Sequence, residues 1–294
     1  MIDVQQFIDD QLESWPLAAE NYRALQNVRQ RTLEVDRDHF VLQYNPSRIR
    51  STAAKVEKAL YTSECFLCAK NRPAEQKAIP WRDYDILVNP YPIFPKHLTI
   101  ASIYHTPQTL FETVGDMLDL AIEMPDMAIF YNGAKCGASM PSHLHFQAGN
   151  VELWPFLDDL KGRKVEIVLG NEFEGVTVAC CDDKLRMTYK ISLQANNVNK
   201  EYYVERWIDR ILLQYYRYHD MASIITTCID GLLEVYVVPR RDFRPKQYFA
   251  EGDAKILVSP ATVEIGGTII TPREEDFQKI TNEDIKSIFE QVCL

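Results

Sequence analysis

The apolar positions along the chain change period several times. Over residues 1–30, Phe7, Ile8, Leu12, Trp15, Leu17, Tyr22, Leu25 and Val28 recur at helical spacing, and Pro16 interrupts them. That pattern predicts a helical start broken once. From Asp38 the period shortens to two. Phe40, Leu42 and Tyr44 alternate with Val41 and Gln43, which predicts a strand ending at Asn45-Pro46. Short apolar runs over 84–88 and 97–103 flank a proline-rich turn, Asn89-Pro90-Tyr91-Pro92, and read as strands. Residues 108–122 carry Leu110, Val114, Met117, Leu118 and Ala121 on one helical face. Strands are expected over 127–131 and 142–148, joined by a loop holding Gly133 and Gly137.

The second half predicts strands over 164–169, 175–179 and 186–192, then a helix over 200–216. Two further strands, 224–228 and 232–238, are separated by Asp230-Gly231, a strong hairpin signal. A strand over 268–270 and a helix over 274–292 close the chain. Strands and helices mix without regular alternation, so the expected class is α+β with antiparallel sheets and flanking helices. The boundary between halves is expected near 150–165, around Leu160-Lys161-Gly162-Arg163, and no exact internal repeat is visible.

Charge narrows the function. The net charge is −10, and the pI is near 5.2, which speaks against a general nucleic-acid binder. No apolar run approaches the ~18 residues of a membrane helix. The Met1-Ile2-Asp3-Val4 start does not read as a signal peptide. Seven scattered cysteines do not read as a disulfide framework. A soluble, cytoplasmic protein is expected, a monomer or homodimer with no nucleic-acid or membrane partner. Residues 47–77 nevertheless form a basic island of seven Lys and Arg against three Glu. It marks either a solvated surface or an anion site. Arg48, Arg50, Ser51 and Lys55 are the leading phosphate-holding candidates, with Lys96, Arg244 and Lys246 behind them, because Arg presents a bidentate fork to phosphate oxygens.

The segment Gly137-Ala138-Ser139-Met140-Pro141-Ser142-His143-Leu144-His145-Phe146-Gln147-Ala148-Gly149 is the most informative. On a strand over 142–148, His143, His145 and Gln147 share one face and Leu144, Phe146 and Ala148 face the core. A lone histidine is usually a hydrogen-bonded structural residue; two with a glutamine in one row call for chemistry. Imidazole is nucleophilic at neutral pH. Its attack on phosphorus divides one group transfer into two steps. Glutamine donates to a phosphoryl oxygen without a titratable proton. A second cluster, Cys65-Phe66-Leu67-Cys68, reads alone as two buried thiols or as half of a metal site. His105 and His143 are available to complete it. Cys180-Cys181, His39, His219 and the four tryptophans read as packing or surface residues.

Gly-Ala-Ser ahead of His-x-His-x-Gln resembles the transferase branch of the histidine-triad (HIT) superfamily. That branch holds galactose-1-phosphate uridylyltransferase, diadenosine tetraphosphate phosphorylase and GDP-hexose phosphorylases. Supporting segments are Gln43-Tyr44-Asn45-Pro46-Ser47-Arg48, Asn89 through Ile100, and Val258-Ser259-Pro260 through Asp276, so the likeness spans about residues 40–280. It implies a HIT-like fold of two halves. Residues 1–160 would be the catalytic half and 161–294 a phosphorylase-like half. It implies His145 as nucleophile, with Gln147 and His143 as its catalytic companions. Asn45, Arg48, Ser51, Lys55, Asn132, Ser139 and Ser142 become the phosphate and nucleotide contacts. Spacing from Ser139 to His143 is one residue longer than the family pattern, which brings in Ser142 as the alternative to Ser139. Phe243 stands where a polar residue is expected. The Cys-x-x-Cys resembles the zinc segment of the uridylyltransferases, implying structural zinc on Cys65, Cys68, His105 and His143. Gln147 in place of a third histidine implies transfer from a nucleotide donor to phosphate or a sugar phosphate rather than to water. The donor would be a dinucleoside polyphosphate or a nucleoside-diphosphate sugar. The rivals are a non-catalytic, zinc-stabilised nucleotide-binding protein and a hydrolase of the same superfamily.

Overall fold

A computed structural model describes residues 2–52, 65–169, 175–181 and 183–294, with the side chains of Arg50, Ser51 and Leu169 left out. The chain opens with two helices, α1 (Val4–Ser14) and α2 (Pro16–Leu25), split at Trp15. Asp3 caps the first, accepting from the Gln6 amide, and Pro16 starts the second at a position where its missing N–H costs nothing. A strand the apolar pattern does not announce follows, β1 (Arg29–Val35). It pairs with β2 (Asp38–Tyr44). β1 is an edge strand whose sequence, RQRTLEV, is polar and mostly exposed, so it carries no apolar alternation to read.

The remaining strands except one build a ten-stranded sheet. They are β3 (Ala78–Trp81), β4 (Tyr84–Val88), β5 (His97–Ser102), β6 (Met127–Asn132), β7 (His145–Asn150), β8 (Val165–Leu169), β9 (Thr177–Cys181), β10 (Thr188–Gln194), β11 (Ala222–Ile229) and β12 (Leu232–Pro239). Their order is β3-β4-β5-β7-β6-β11-β12-β10-β9-β8. Each half contributes three strands, a helix and two more strands. In each, the last strand inserts beside the third. The helices are α3 (Val114–Glu123) and α5 (Lys200–Gln214). The topology therefore repeats although the residues do not, and the units join through antiparallel β6 and β11. Across the 150–165 stretch the chain lies outside the sheet and leads from β7 to β8 at its far edge. β11 and β12 turn over Asp230-Gly231, both with positive φ (51° and 77°), as a two-residue hairpin requires.

Helices α3 and α5 pack on one face of the sheet with α1, burying Ile100, Met117, Phe146, Ile208 and Val235. The other face holds a second core, with Phe40, Phe94, Phe130, Trp154 and Phe289. Over it lie α4 (Pro155–Lys161), α6 (Glu274–Lys279), α7 (Asn282–Val292) and a small sheet of β1, β2 and β13 (Thr268–Thr271), in which β13 runs parallel to β2. Arg186 ties this layer to the second unit. Its guanidinium is fully buried against Phe40, Phe156 and Phe289, donating to Asp38 (2.8 Å) and Asp183 (2.7 Å). Among the described residues no helix is long and apolar enough to cross a membrane.

Three expectations shift. The helix expected over 108–122 begins at Val114, because Glu112 sits at φ 59°, outside helical space. The closing helix is two, since Thr281 and Asp284 form a capping box that restarts it. The strand expected from 142 begins at His145.

Gly149 on β7 faces the Phe94 ring, and a Cβ there would lie 2.3 Å from Cδ2. Phe94 stacks on Trp154 at 5.3 Å and has no room to retreat. Gly149→Ala is expected to cost about 1–3 kcal/mol by overpacking, read as a lower urea midpoint; an unchanged midpoint would show that Phe94 can move.

Candidate active site

β7 lies between β5 and β6 and is buried on both faces, so its period-two alternation sends Phe146 and Ala148 to the helix side and His145 and Gln147 to the other. There a cavity of about 490 Å³ opens. Its polar lining includes Ser47, Arg48, Asn89, Thr99, Asn132, Ser139, His145, Gln147, Arg244 and Glu264, and its apolar lining includes Trp15, Leu17, Phe66, Leu67, Leu87 and Phe130. Apolar walls beside Arg and amide donors suit a nucleotide, whose base is flat and apolar and whose phosphates are anionic.

His145 is buried, and its protonation follows from its bonds. Nδ1 stands 2.8 Å from the carbonyl of His143. A carbonyl only accepts, so Nδ1 carries the proton and Nε2 keeps its lone pair. Nε2 is buried and makes no hydrogen bond to any described residue. Burial pushes the imidazole down to about 4, with the neighbouring His143 adding to the effect and the bond to the His143 carbonyl opposing it. The ring is therefore neutral at physiological pH, with a lone pair unengaged at the cavity.

Gln147 is oriented by a residue the sequence reading did not single out. His97, at the start of β5, accepts the Ile93 amide at Nδ1 (3.1 Å). Its proton therefore sits on Nε2, which donates to Oε1 of Gln147 (3.1 Å). The Gln147 oxygen is thus engaged, leaving its NH₂ group as the donor end. Burial, helped by the Arg48 charge, pushes His97 down to about 3. Period-two spacing along 97–102 places His97 with Thr99, a cavity-lining residue, and was the available signal. Glu264 was also missed, having no pattern around it. Burial raises it to about 7, while the Ala261 amide and Arg48 pull it back.

The other expected residues divide. Arg48 lines the cavity and donates to the Tyr91 carbonyl (2.7 Å). Ser139 lines it too, whereas Ser142 is turned to the Met140 sulfur at 3.5 Å. Asn132 is at the wall and accepts the Thr262 amide (2.8 Å). Asn45 stands behind the wall, donating to Gln43 and the Pro92 carbonyl (both 3.2 Å) and accepting from Ser47 (2.6 Å). The Ser51 side chain and Lys55 lie outside the described residues. Arg244 reaches the cavity over the Tyr248 ring, beside Phe243. Lys96 is spent on Asp126 (2.8 Å). His39 and His219 pair with Asp159 and Asp209. Gly137 lets the loop pass close to Ala261: its φ is +144°, and a Cβ would lie 2.7 Å from that of Ala261.

His143 departs from the expected row of three. It precedes β7, in a turn where its N–H reaches the Met140 carbonyl. Its Nε2 donates to the Ser102 carbonyl (2.7 Å), so Nδ1 bears the lone pair, 3.2 Å from Cys65 Sγ and 3.6 Å from Cys68 Sγ. His105 Nδ1 lies 3.2 Å from Cys68 Sγ. All four ligand atoms fall within 4.8 Å of one another. A tetrahedral ion with S at 2.3 Å and N near 2.05 Å needs S to N edges of roughly 3.5 Å, so the set fits a metal. The proton on Nε2 of His143 also supplies the outer hydrogen bond that metal-bound histidines usually make.

Two family models match the chain: a domain of unknown function, DUF4922, over residues 7–150, and a GDPGP1-like C-terminal domain over 224–294. No curated protein sequence matches it. The crystal structure of yeast Ap4A phosphorylase Apa2 superposes with a TM-score of 0.64 at 16% identity, covering 100% of this chain and 98% of that one. The same yeast protein in complex with Ap4A gives 0.64 at 16% identity over 100% and 99%, and in complex with AMP 0.61 at 16% over 100% and 98%. The chain therefore has the fold of that phosphorylase, the α+β HIT-like architecture expected from the sequence.

Two histidines buried as neutral rings make stability depend on pH. The unfolded chain takes up protons near pH 6.5, whereas folded His97 and His145 resist until about 3 and 4. Their contribution is present above pH 6.5 and is lost as the pH falls below it. The melting temperature is expected to fall between pH 7 and 5, and less steeply in His97→Gln; equal slopes would show that His97 is not held neutral.

Proposed function

We propose that the protein is a nucleotidyltransferase of the phosphorylase type, acting through a nucleotidyl-histidine at His145. The observation that carries this reading is the buried, unprotonated Nε2 of His145, set on the same strand face as Gln147. In the first half-reaction Nε2 attacks the α-phosphorus of a nucleotide donor. A P–N bond forms, the P–O bond to the leaving phosphate breaks, and its electron pair departs with that oxygen. In the second, an oxygen of inorganic phosphate or a sugar phosphate attacks the same phosphorus. The P–N bond then breaks and Nε2 recovers its pair.

The groups around His145 suit this sequence. Its Nδ1–H keeps the bond to the His143 carbonyl and so stabilises the cationic ring of the intermediate. The Gln147 NH₂ donates to an α-phosphoryl oxygen, and His97 keeps it from turning its oxygen there instead. Arg48 and Ser139 supply further donors. Gln147 holds no titratable proton, so it does not activate water as a base, which favours transfer to phosphate over hydrolysis.

We assign a dinucleoside polyphosphate as the donor class, on the likeness to a phosphorylase solved with Ap4A and with AMP. A nucleoside-diphosphate sugar is the alternative that follows from the sequence resemblance. Cys65, Cys68, His105 and His143 would hold zinc as a closed structural centre, tying the 65–68 loop to the turn before His145. Burial raises the Cys65 thiol above its ordinary value; a dication beside it reverses that cost. None of the seven cysteines forms a disulfide, which suits a reducing cytoplasm.

Incubation with Ap4A and no acceptor is expected to add one AMP to the intact mass. The adduct should be acid-labile, be discharged by inorganic phosphate, and be absent in His145→Ala, which still binds nucleotide. Binding without an adduct and without phosphate-dependent consumption of any donor tried would favour the binding-protein reading. Release of AMP to water at the same rate with and without phosphate would favour the hydrolase. Elemental analysis of purified protein is expected to give one zinc per chain, lost in Cys65→Ser and His105→Ala together with a lower melting temperature; metal-free protein with an unchanged melting curve would remove the zinc assignment.

A further inference from the structure

The ladder between β6 and β7 runs from Met127 opposite Asn150 to Phe130 opposite Gln147. Continued in register, Asn132 would face His145. The strands part there instead, and the loop of residues 133–144 leaves between them. A third segment occupies the opening. Gln108, in the connection from β5 to α3, is 4% exposed. Its Oε1 accepts the backbone N–H of His145 (2.8 Å), and its Nε2 donates to the carbonyls of His145 (3.0 Å) and Asn132 (3.0 Å). One side-chain amide thus stands in for a rung of the sheet, with both its ends engaged. The residue is anchored by its main chain as well. Its own N–H donates to the Pro141 carbonyl (3.0 Å), and its carbonyl accepts from Tyr131 (3.4 Å).

We propose that Gln108 is the positioning residue of the transfer reaction, holding the backbone of His145 at the splayed end of β6 and β7 so that Nε2 lies in line with the α-phosphorus. The proposal rests on the reading of His145 as nucleophile. Splaying is what frees this stretch of strand edge from ladder pairing, so the His145 N–H and the carbonyls of His145 and Asn132 need partners from outside the ladder. Gln108 satisfies all three at once. Isosteric alternatives do not: a carboxylate accepts from the His145 N–H but repels both carbonyls, and a thioether supports none of the three. Closing the gap by direct pairing of Asn132 with His145 would pull the imidazole toward β6. A displacement near 1 Å at a reacting atom can cost on the order of 100-fold in rate.

The test uses the full chain and the variants Gln108→Met and Gln108→Glu, with His145→Ala as control, all assayed well below their melting temperatures. The first readout is the single-turnover rate of AMP adduct formation at saturating Ap4A. The second is the Ap4A dissociation constant, measured for each Gln108 variant in the His145→Ala background. The expected result is a rate lower by on the order of 100-fold in whichever variants fold, with the dissociation constant within about threefold of the parent. That split separates positioning from a loosened fold, which would weaken binding together with rate. Adduct formation within threefold of the parent in a folded variant overturns the proposal, as does a parallel loss of rate and binding. Should neither variant fold, Gln108 is a folding residue and the proposal fails. An adduct that persists in His145→Ala would instead overturn the nucleophile reading itself, and is seen in the control alone.

Discussion

The proton on Nδ1 of His145 is the constraint on which the site depends. Donated to the carbonyl of His143, it leaves Nε2 as the only lone pair of the ring and points it away from the strand's own backbone. An imidazole is a nucleophile only when unprotonated, and burial holds this one so with no acidic partner among the described residues. In a Ser-His-Asp arrangement a carboxylate raises basicity. Here a neutral carbonyl fixes the tautomer and basicity is kept low, which suits the proposed transfer, in which the ring would attack phosphorus and then leave it.

The same logic runs through the second imidazole. His97 accepts from Ile93 and donates to Gln147, so a backbone amide two links away decides which end of a glutamine is presented. Amide and imidazole orientations are degenerate in isolation. They become single-valued here because the Ile93 N–H can only donate to the imidazole, which fixes the proton on the far ring nitrogen and hence the Gln147 oxygen as its acceptor.

A repeated topology explains where the site lies. Both units place their fifth strand between the third and fourth, and a strand flanked on both sides fixes the position of its side chains. In the first unit that strand is β7, with His145. In the second it is β12, which has no histidine, and its side of the sheet is closed by Phe156, Tyr236 and the layer pinned by Arg186. One unit keeps an open cavity and the other supplies its frame. The cysteine and histidine cluster adds a further tether, since His143 lies two residues before His145 and binds the 65–68 loop whose Phe66 and Leu67 reach the cavity wall.

Much of this was legible in the residues. Period-two and helical spacings located most elements, Asp230-Gly231 marked the hairpin, and His145 and Gln147 fall on one face because strand alternation is a local rule. Cys65, Cys68, His105 and His143 come together as their types suggested. Other features depend on contacts between distant segments. β1 is polar on an edge and has no periodic signature. Gln108 is an isolated glutamine beside Pro107, and its role exists only because β6 and β7 separate at that point. His143 leaves the strand because the turn from Met140 claims its N–H. Which chemistry is available follows from residue types and their spacing, since nucleophilic, donor and ligand groups are properties of side chains. Tautomers, depressed basicity, the placing of Ser139 rather than Ser142 at the cavity and the orientation of Gln147 come from folding, because burial and hydrogen-bond pairing arise between residues far apart in the chain.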